Sequence, residues 1–170
     1  MVFGDSNSFR PEQSETSWPK LLKDKDPHHL NVFNESYDGR TTRYDLGERN
    51  GLSVIGKKLT AQTPLDYVFV MLGTNDVKSK YGPPSTTEIV DGMRQILDII
   101  ETRGFGAKPI LLTLPPIGNV ISGDLAGAQF RIPPVVAEYR LLSINLDIRL
   151  IDIHSILDIR TDLESDMIHL

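Results

Sequence analysis

Leu65-Asp66-Tyr67-Val68-Phe69-Val70-Met71-Leu72 is an almost wholly apolar run, stopped by Gly73-Thr74-Asn75-Asp76. A run of this length without polar alternation suits a strand buried on both faces of a parallel sheet. Four comparable runs flank it: Met1 to Phe3, Leu30 to Phe33, Pro109 to Leu114 and Arg149 to Ile153. Helical patterns lie between them. In the clearest, Ser85 and Glu88 have capping-box spacing, and Ile89, Met93, Ile96, Leu97 and Ile100 then form one apolar stripe up to Gly104. A second helix is expected over Val135 to Asn145, after Pro133-Pro134, with weaker ones near Trp18 to Lys25 and Leu52 to Leu59. Strands alternating with helices predict an α/β fold with a five-stranded parallel sheet and helices on both faces.

In such a sheet ligands bind beyond the carboxyl ends of the strands. Those ends carry Gly4-Asp5-Ser6, Asn34 to Gly39, Gly73-Thr74-Asn75-Asp76 and Leu114-Pro115-Pro116, and Asp166 and His169 follow the last strand. A serine hydroxyl is a poor nucleophile unless a base lies within hydrogen-bond reach and an acid orients that base. A helix or tight turn puts residues three apart on one side, so Asp166 and His169 can present a carboxylate and an imidazole together to Ser6. Acyl transfer also needs donors aimed at the developing oxyanion, and Gly39 and Asn75 offer a backbone N–H and a side-chain amide.

These four blocks, Gly4-Asp5-Ser6, Asn34 to Gly39, Gly73 to Asp76 and Asp166 to His169, resemble those of the SGNH/GDSL hydrolases and occur in that family's order. Gly39-Arg40-Thr41-Thr42, Leu65 to Asp76 and Leu114-Pro115-Pro116 look most like the arylesterase and acyltransferase branch. The resemblance implies a three-layer, flavodoxin-like α/β/α sandwich, formed by a single domain over residues 1–170. It implies hydrolysis of small carboxylic esters through an acyl-Ser6 intermediate, with catalytic Ser6, Asp166 and His169. It also implies an oxyanion hole from the Ser6 N–H, the Gly39 N–H and the Asn75 side chain. No cofactor or metal is implied. The sequence departs from the family at the glycine usual soon after the nucleophile, at Ser36, where a glycine is common, and in ending one residue after His169 without the usual terminal helix.

Composition narrows the alternatives. The chain has 170 residues, enough for one domain. Its 18 basic and 23 acidic side chains give a net charge of −5, with no electrostatic footprint for nucleic acid. No apolar stretch is long enough to span a bilayer. The absence of cysteine excludes disulfide and thiolate chemistry and suits a reducing compartment, so cytoplasmic residence is expected unless a leader has been removed. The expected partner is a small-molecule ester, and homo-oligomerisation stays open.

Bland readings stand beside these. Asp5 and Asp76 read as structural, bonding loop backbone. His154 reads as a hydrogen-bonded structural residue, His28 and His29 as loop residues. Trp18 reads as a packing anchor, and Arg40, Thr41 and Thr42 as a solvated loop. The long insertion from Ile117 to Pro134 is expected to border the acyl or alcohol pocket through Ile121, Phe130 and Ile132. The same catalytic parts serve carbohydrate O-deacetylases, lysophospholipases and thioesterases. A catalytically silent binding module and a flavodoxin-like nucleotide binder are the rivals of other classes, the latter lacking any Gly-x-Gly-x-x-Gly loop.

Overall fold

The computed structural model describes residues 1–9, 17–82 and 85–170. Four parallel strands, β1 (Val2–Gly4), β2 (Tyr67–Met71), β3 (Lys108–Leu112) and β4 (Arg149–Ile151), pair in chain order. Val2 stands opposite Phe69, Phe69 opposite Ile110, and Ile110 opposite Arg149. The crossovers carry the helices α1 (Trp18–Lys25), α2 (Gly51–Gln62), α3 (Thr86–Arg103) and α4 (Ala128–Asn145), and one turn, α5 (Ile153–Ile156), follows β4.

The strand expected at Leu30 to Phe33 does not form as such. The chain joins the free edge of β1 slightly later, where Val2 bridges Asn34 in parallel. Val2 N–H donates to Phe33 O at 2.8 Å, Glu35 N–H to Val2 O at 2.9 Å, and Tyr37 N–H to Gly4 O at 3.1 Å. This register places Phe33 level with Met1, so residues 30–32 have no strand beside them. The spatial order is that of a doubly wound sheet, with the Asn34 segment outside β1 and β2 to β4 on its other side.

Side-chain alternation builds the layers. Val68 and Val70 of β2 and Leu111 of β3 face the main core, which α2, α3 and α4 cover with Ile55, Leu59, Met93, Ile96 and Tyr139. Met71, Ile110 and Leu112 face the opposite side, where Trp18 of α1 and Ile153 of α5 pack. Trp18 meets Phe69 edge-on at 6.3 Å and donates to Ser8 Oγ at 3.2 Å, so it is the packing anchor expected.

α3 starts where the capping box requires: Ser85 Oγ accepts the Glu88 N–H at 3.2 Å, and Glu88 accepts the Ser85 N–H at 3.0 Å. α4 begins seven residues earlier than Val135 and contains both prolines. They cost it only the donors for the Gln129 and Phe130 carbonyls, near its amino end, where Phe130 is exposed to water. Because of this early start Ile132 lies fully in the core, while Ile121 and Phe130 are exposed. The apolar pocket wall expected from those three residues is therefore not formed.

Candidate active site

The parallel sheet brings the carboxyl ends of its strands to one rim. After β1 the chain turns at once: the N–H groups of Ser8 and Phe9 both donate to Asp5 O, at 3.0 and 2.8 Å. The Asp5 carboxylate accepts the Asn7 N–H at 3.0 Å, which leaves Ser6 half-buried at the crest. Asp5 is itself buried, and loss of hydration pushes its carboxyl up to about 6.

The end of the chain forms a closed turn over this crest. Asp166 Oδ1 accepts the N–H groups of Ile168 and His169 at 2.9 and 3.0 Å. Asp166 Oδ2 bonds His169 Nδ1. Burial alone would raise the Asp166 carboxyl, but the His169 N–H, its ring and the Ile168 N–H outweigh this and hold it below its ordinary value. The turn is fastened to the 117–134 insertion by the Gly118 N–H on Met167 O at 2.9 Å. In this position His169 Nε2 lies 3.0 Å from Ser6 Oγ. Residues 163 positions apart thus make one chain of contacts from hydroxyl to imidazole to carboxylate.

The two remaining strand ends supply donors. Asn75 is buried, and its amide nitrogen donates to Arg40 O at 3.2 Å and to Asp5 Oδ2 at 3.4 Å. Gly39 adopts φ +71°, a left-handed conformation that favours glycine. No acceptor among the described residues takes the N–H of Ser6 or of Gly39. A cavity of about 150 Å³ is lined by Ser6, Gly39, Asn75 and His169 together. All five residues expected at the site meet on this rim.

Arg40, Thr41 and Thr42 are not the solvated loop expected: all three are fully buried. The Arg40 guanidinium donates to Glu35 O at 2.6 Å, Glu48 O at 2.8 Å and Gly4 O at 3.4 Å, and lies 4.3 Å over the Phe3 ring. It ties the Gly39 turn to β1, and burial pulls its pKa down to about 10. Asp76 accepts the Thr42 N–H at 3.0 Å and the Thr42 hydroxyl, and burial pushes it up to about 7. Asp5 and Asp76 are thus structural, as read from the sequence. His154 Nδ1 meets Leu114 O at 3.2 Å, and His29 bonds Asp26 in a local turn.

Several lining residues carried no signal in the sequence. Thr74, Lys78 and Lys80 reach the cavity from the turn after β2, Leu125 from the insertion, and Arg49 from a single 3₁₀ turn. Lys78 lies one turn beyond Asn75, whereas Arg49 arrives from a separate loop. Among the described residues the only three candidate metal-ligand atoms within 4.8 Å of one another belong to Glu164, Asp166 and His169. Two of these are already engaged with each other beside Ser6.

The family model of GDSL-like lipases and acylhydrolases matches residues 2–170. The chain belongs to this family. The chain is 31% identical over 124 residues, 69% of its own length, to the protein named "Uncharacterized lipoprotein YqeF" of Bacillus subtilis. It is 32% identical over 114 residues, 65% of its length, to the same organism's "Probable rhamnogalacturonan acetylesterase YesY". The chain spans about half the length of both relatives, 48% and 50%. In fold it is similar to the native aryl esterase of M. smegmatis, with a TM-score of 0.86 over 99% of this chain and 88% of that one, at 22% identity. No helix among the described residues is long and apolar enough to cross a membrane.

Proposed function

We propose that residues 1–170 act as one catalytic unit, a serine esterase that releases short acyl groups from small carboxylic esters. The observation that carries this reading is the Ser6 Oγ to His169 Nε2 contact of 3.0 Å, with Nδ1 on Asp166, at the mouth of the cavity.

Ser6 Oγ attacks the ester carbonyl carbon while His169 Nε2 takes the hydroxyl proton. Asp166 holds the ring in the tautomer that leaves Nε2 free and stabilises the imidazolium. The carbonyl oxygen becomes an oxyanion, met by the N–H groups of Ser6 and Gly39 and by Asn75. To reach it, Asn75 turns one N–H away from Asp5, the longer of its two contacts. The C–O bond to the alcohol then breaks, and His169 returns the proton to the leaving oxygen. Water, deprotonated by His169, releases the acyl group from Ser6 by the same steps.

The acyl group is short on this reading. A cavity of about 150 Å³ is well below the ~300–1,000 Å³ of pockets for larger ligands. The relative named as an acetylesterase supports acetyl as the natural group.

The test is labelling by a fluorophosphonate probe, with 4-nitrophenyl acetate, butyrate and octanoate as substrates. The protein is expected to label and to prefer acetate, and Ser6→Ala to lose both labelling and turnover. Labelling that persists in Ser6→Ala overturns the nucleophile; preference for octanoate overturns the short acyl group.

A further inference from the structure

The cavity beside Ser6 is cationic on one wall. Arg49, Lys78 and Lys80 line it against a single carboxylate, Asp38, in a chain whose net charge is −5. Two of these cations have nearby acids. Arg49 lies 3.9 Å from Asp38, and Lys80 lies 3.7 Å from Asp45 and 4.7 Å over the Tyr81 ring. Lys78 has no carboxylate oxygen within 4.0 Å among the described residues. Its ammonium is half-buried, and burial together with Lys80 lowers its pKa against the pull of Asp38, Asp124 and Asp5. Holding a partly dehydrated cation beside another cation, with no acid in contact, is unfavourable for the fold alone.

Thr74 is buried beside the same cavity. A half-buried ammonium with no acid in contact, on a wall shared with Arg49 and Lys80, is a donor set suited to an anion. Acetyl, the acyl group proposed above, carries no charge, which leaves the alcohol half of the ester to bear it.

We propose that the site selects esters whose alcohol half bears a carboxylate, and that Lys78 is the residue determining this preference. The inference rests on the esterase reading and adds to it the charge of the substrate. A carboxylate near Lys78 supplies the missing counter-charge, and the cationic wall draws anionic esters toward Ser6.

The experiment compares two esters of nearly equal size, 4-acetoxybenzoate and 4-acetoxybenzamide, by kcat/KM. Their intrinsic reactivities differ, so the quantity read is the anionic-to-neutral ratio and its change between variants. Lys78→Met is expected to lower the ratio about tenfold, of the order of one partly desolvated charge pair. Lys78→Arg is expected to keep most of it. In the unsubstituted protein, raising salt from about 0.02 to 0.5 M lowers the ratio by screening. A ratio indifferent both to Lys78→Met and to salt overturns the proposal while leaving the esterase reading intact. No turnover of either ester by the unsubstituted protein overturns both.

Discussion

The Asn75 side-chain amide donates to the Arg40 carbonyl at 3.2 Å, so the turn after β2 holds the turn that carries Gly39. The same nitrogen reaches Asp5 at 3.4 Å, next to Ser6. Three strand-end loops are thereby joined at one buried atom. The Arg40 contact holds the amide in place, so only the N–H now on Asp5 has to be redirected when charge develops on a substrate oxygen, which is where such groups contribute most to rate.

Asn75→Ala is expected to lower kcat for 4-nitrophenyl acetate by about 10²–10³-fold, the usual cost of one oxyanion donor. KM should change far less, because the donor matters most once the oxygen is charged. Steady-state kinetics check this. A variant that raises KM and spares kcat would show that Asn75 binds substrate without stabilising the oxyanion.

Arg40 makes a different prediction, about stability. Its buried guanidinium serves three backbone carbonyls, those of Gly4, Glu35 and Glu48. Arg40→Met leaves the Glu35 and Glu48 carbonyls without a donor, while Gly4 O keeps the Tyr37 N–H, and is expected to cost about 3–5 kcal/mol in urea unfolding. Arg40→Lys should rescue little of it, since one ammonium cannot span the planar fork that reaches all three. Equal unfolding midpoints for Arg40→Lys and the unsubstituted protein would contradict this.

What could be read in advance, and what could not, follows from the range of the interactions. Tyr67–Met71 was legible because a strand buried on both faces needs an unbroken apolar run, and α3 because its cap and stripe are local. The order of the four blocks pointed to Ser6, Gly39, Asn75 and His169, which the structure brings to one rim. Arg40 was misread because burying a guanidinium needs carbonyls from distant segments, and nothing near Arg40 in sequence announces them. Ile132 reads as part of the insertion when the helix is expected only after Pro133-Pro134, whereas α4 contains both prolines. Lys78 carried no signal of its own: a lysine after a strand is ordinary until Arg49 and Lys80 appear around the same cavity.

Asp76 sets a pH dependence. Its carboxyl stands at about 7 in the folded protein against an ordinary 3.8, raised by burial. Between about pH 4 and 7 the unfolded chain has lost this proton while the folded chain retains it, so this contribution to stability falls as pH rises. Asp76→Asn removes the ionisation and keeps an oxygen for Thr42. The stability of Asp76→Asn relative to the unsubstituted protein should therefore improve by roughly 3 kcal/mol from pH 5 to pH 8, at about 1.4 kcal/mol per pH unit up to pH 7. Urea unfolding at the two pH values measures this, and parallel profiles would mean that Asp76 is already ionised at pH 5.

Two helix glycines should respond in opposite directions to the same substitution. Gly92 lies inside α3, where a Cβ would come within 2.5 Å of Thr42 Oγ1 and 2.9 Å of Thr42 Cβ. Thr42 is buried and held by Asp76, so it has little room to yield. Alanine brings about 1 kcal/mol of helix propensity, but overpacking a rigid neighbour costs about 1–3 kcal/mol. Gly92→Ala is therefore expected to be destabilising on balance, and to slow ester hydrolysis because Thr42 and Asp76 adjoin Asn75. Gly56, inside α2, has nothing within 4 Å of an added Cβ. Gly56→Ala should stabilise by about 0.5–1 kcal/mol with activity unchanged. Urea midpoints read at a constant m-value decide both, and a stabilising Gly92→Ala would show that Thr42 moves freely, against the tight coupling inferred for the loop beneath the site.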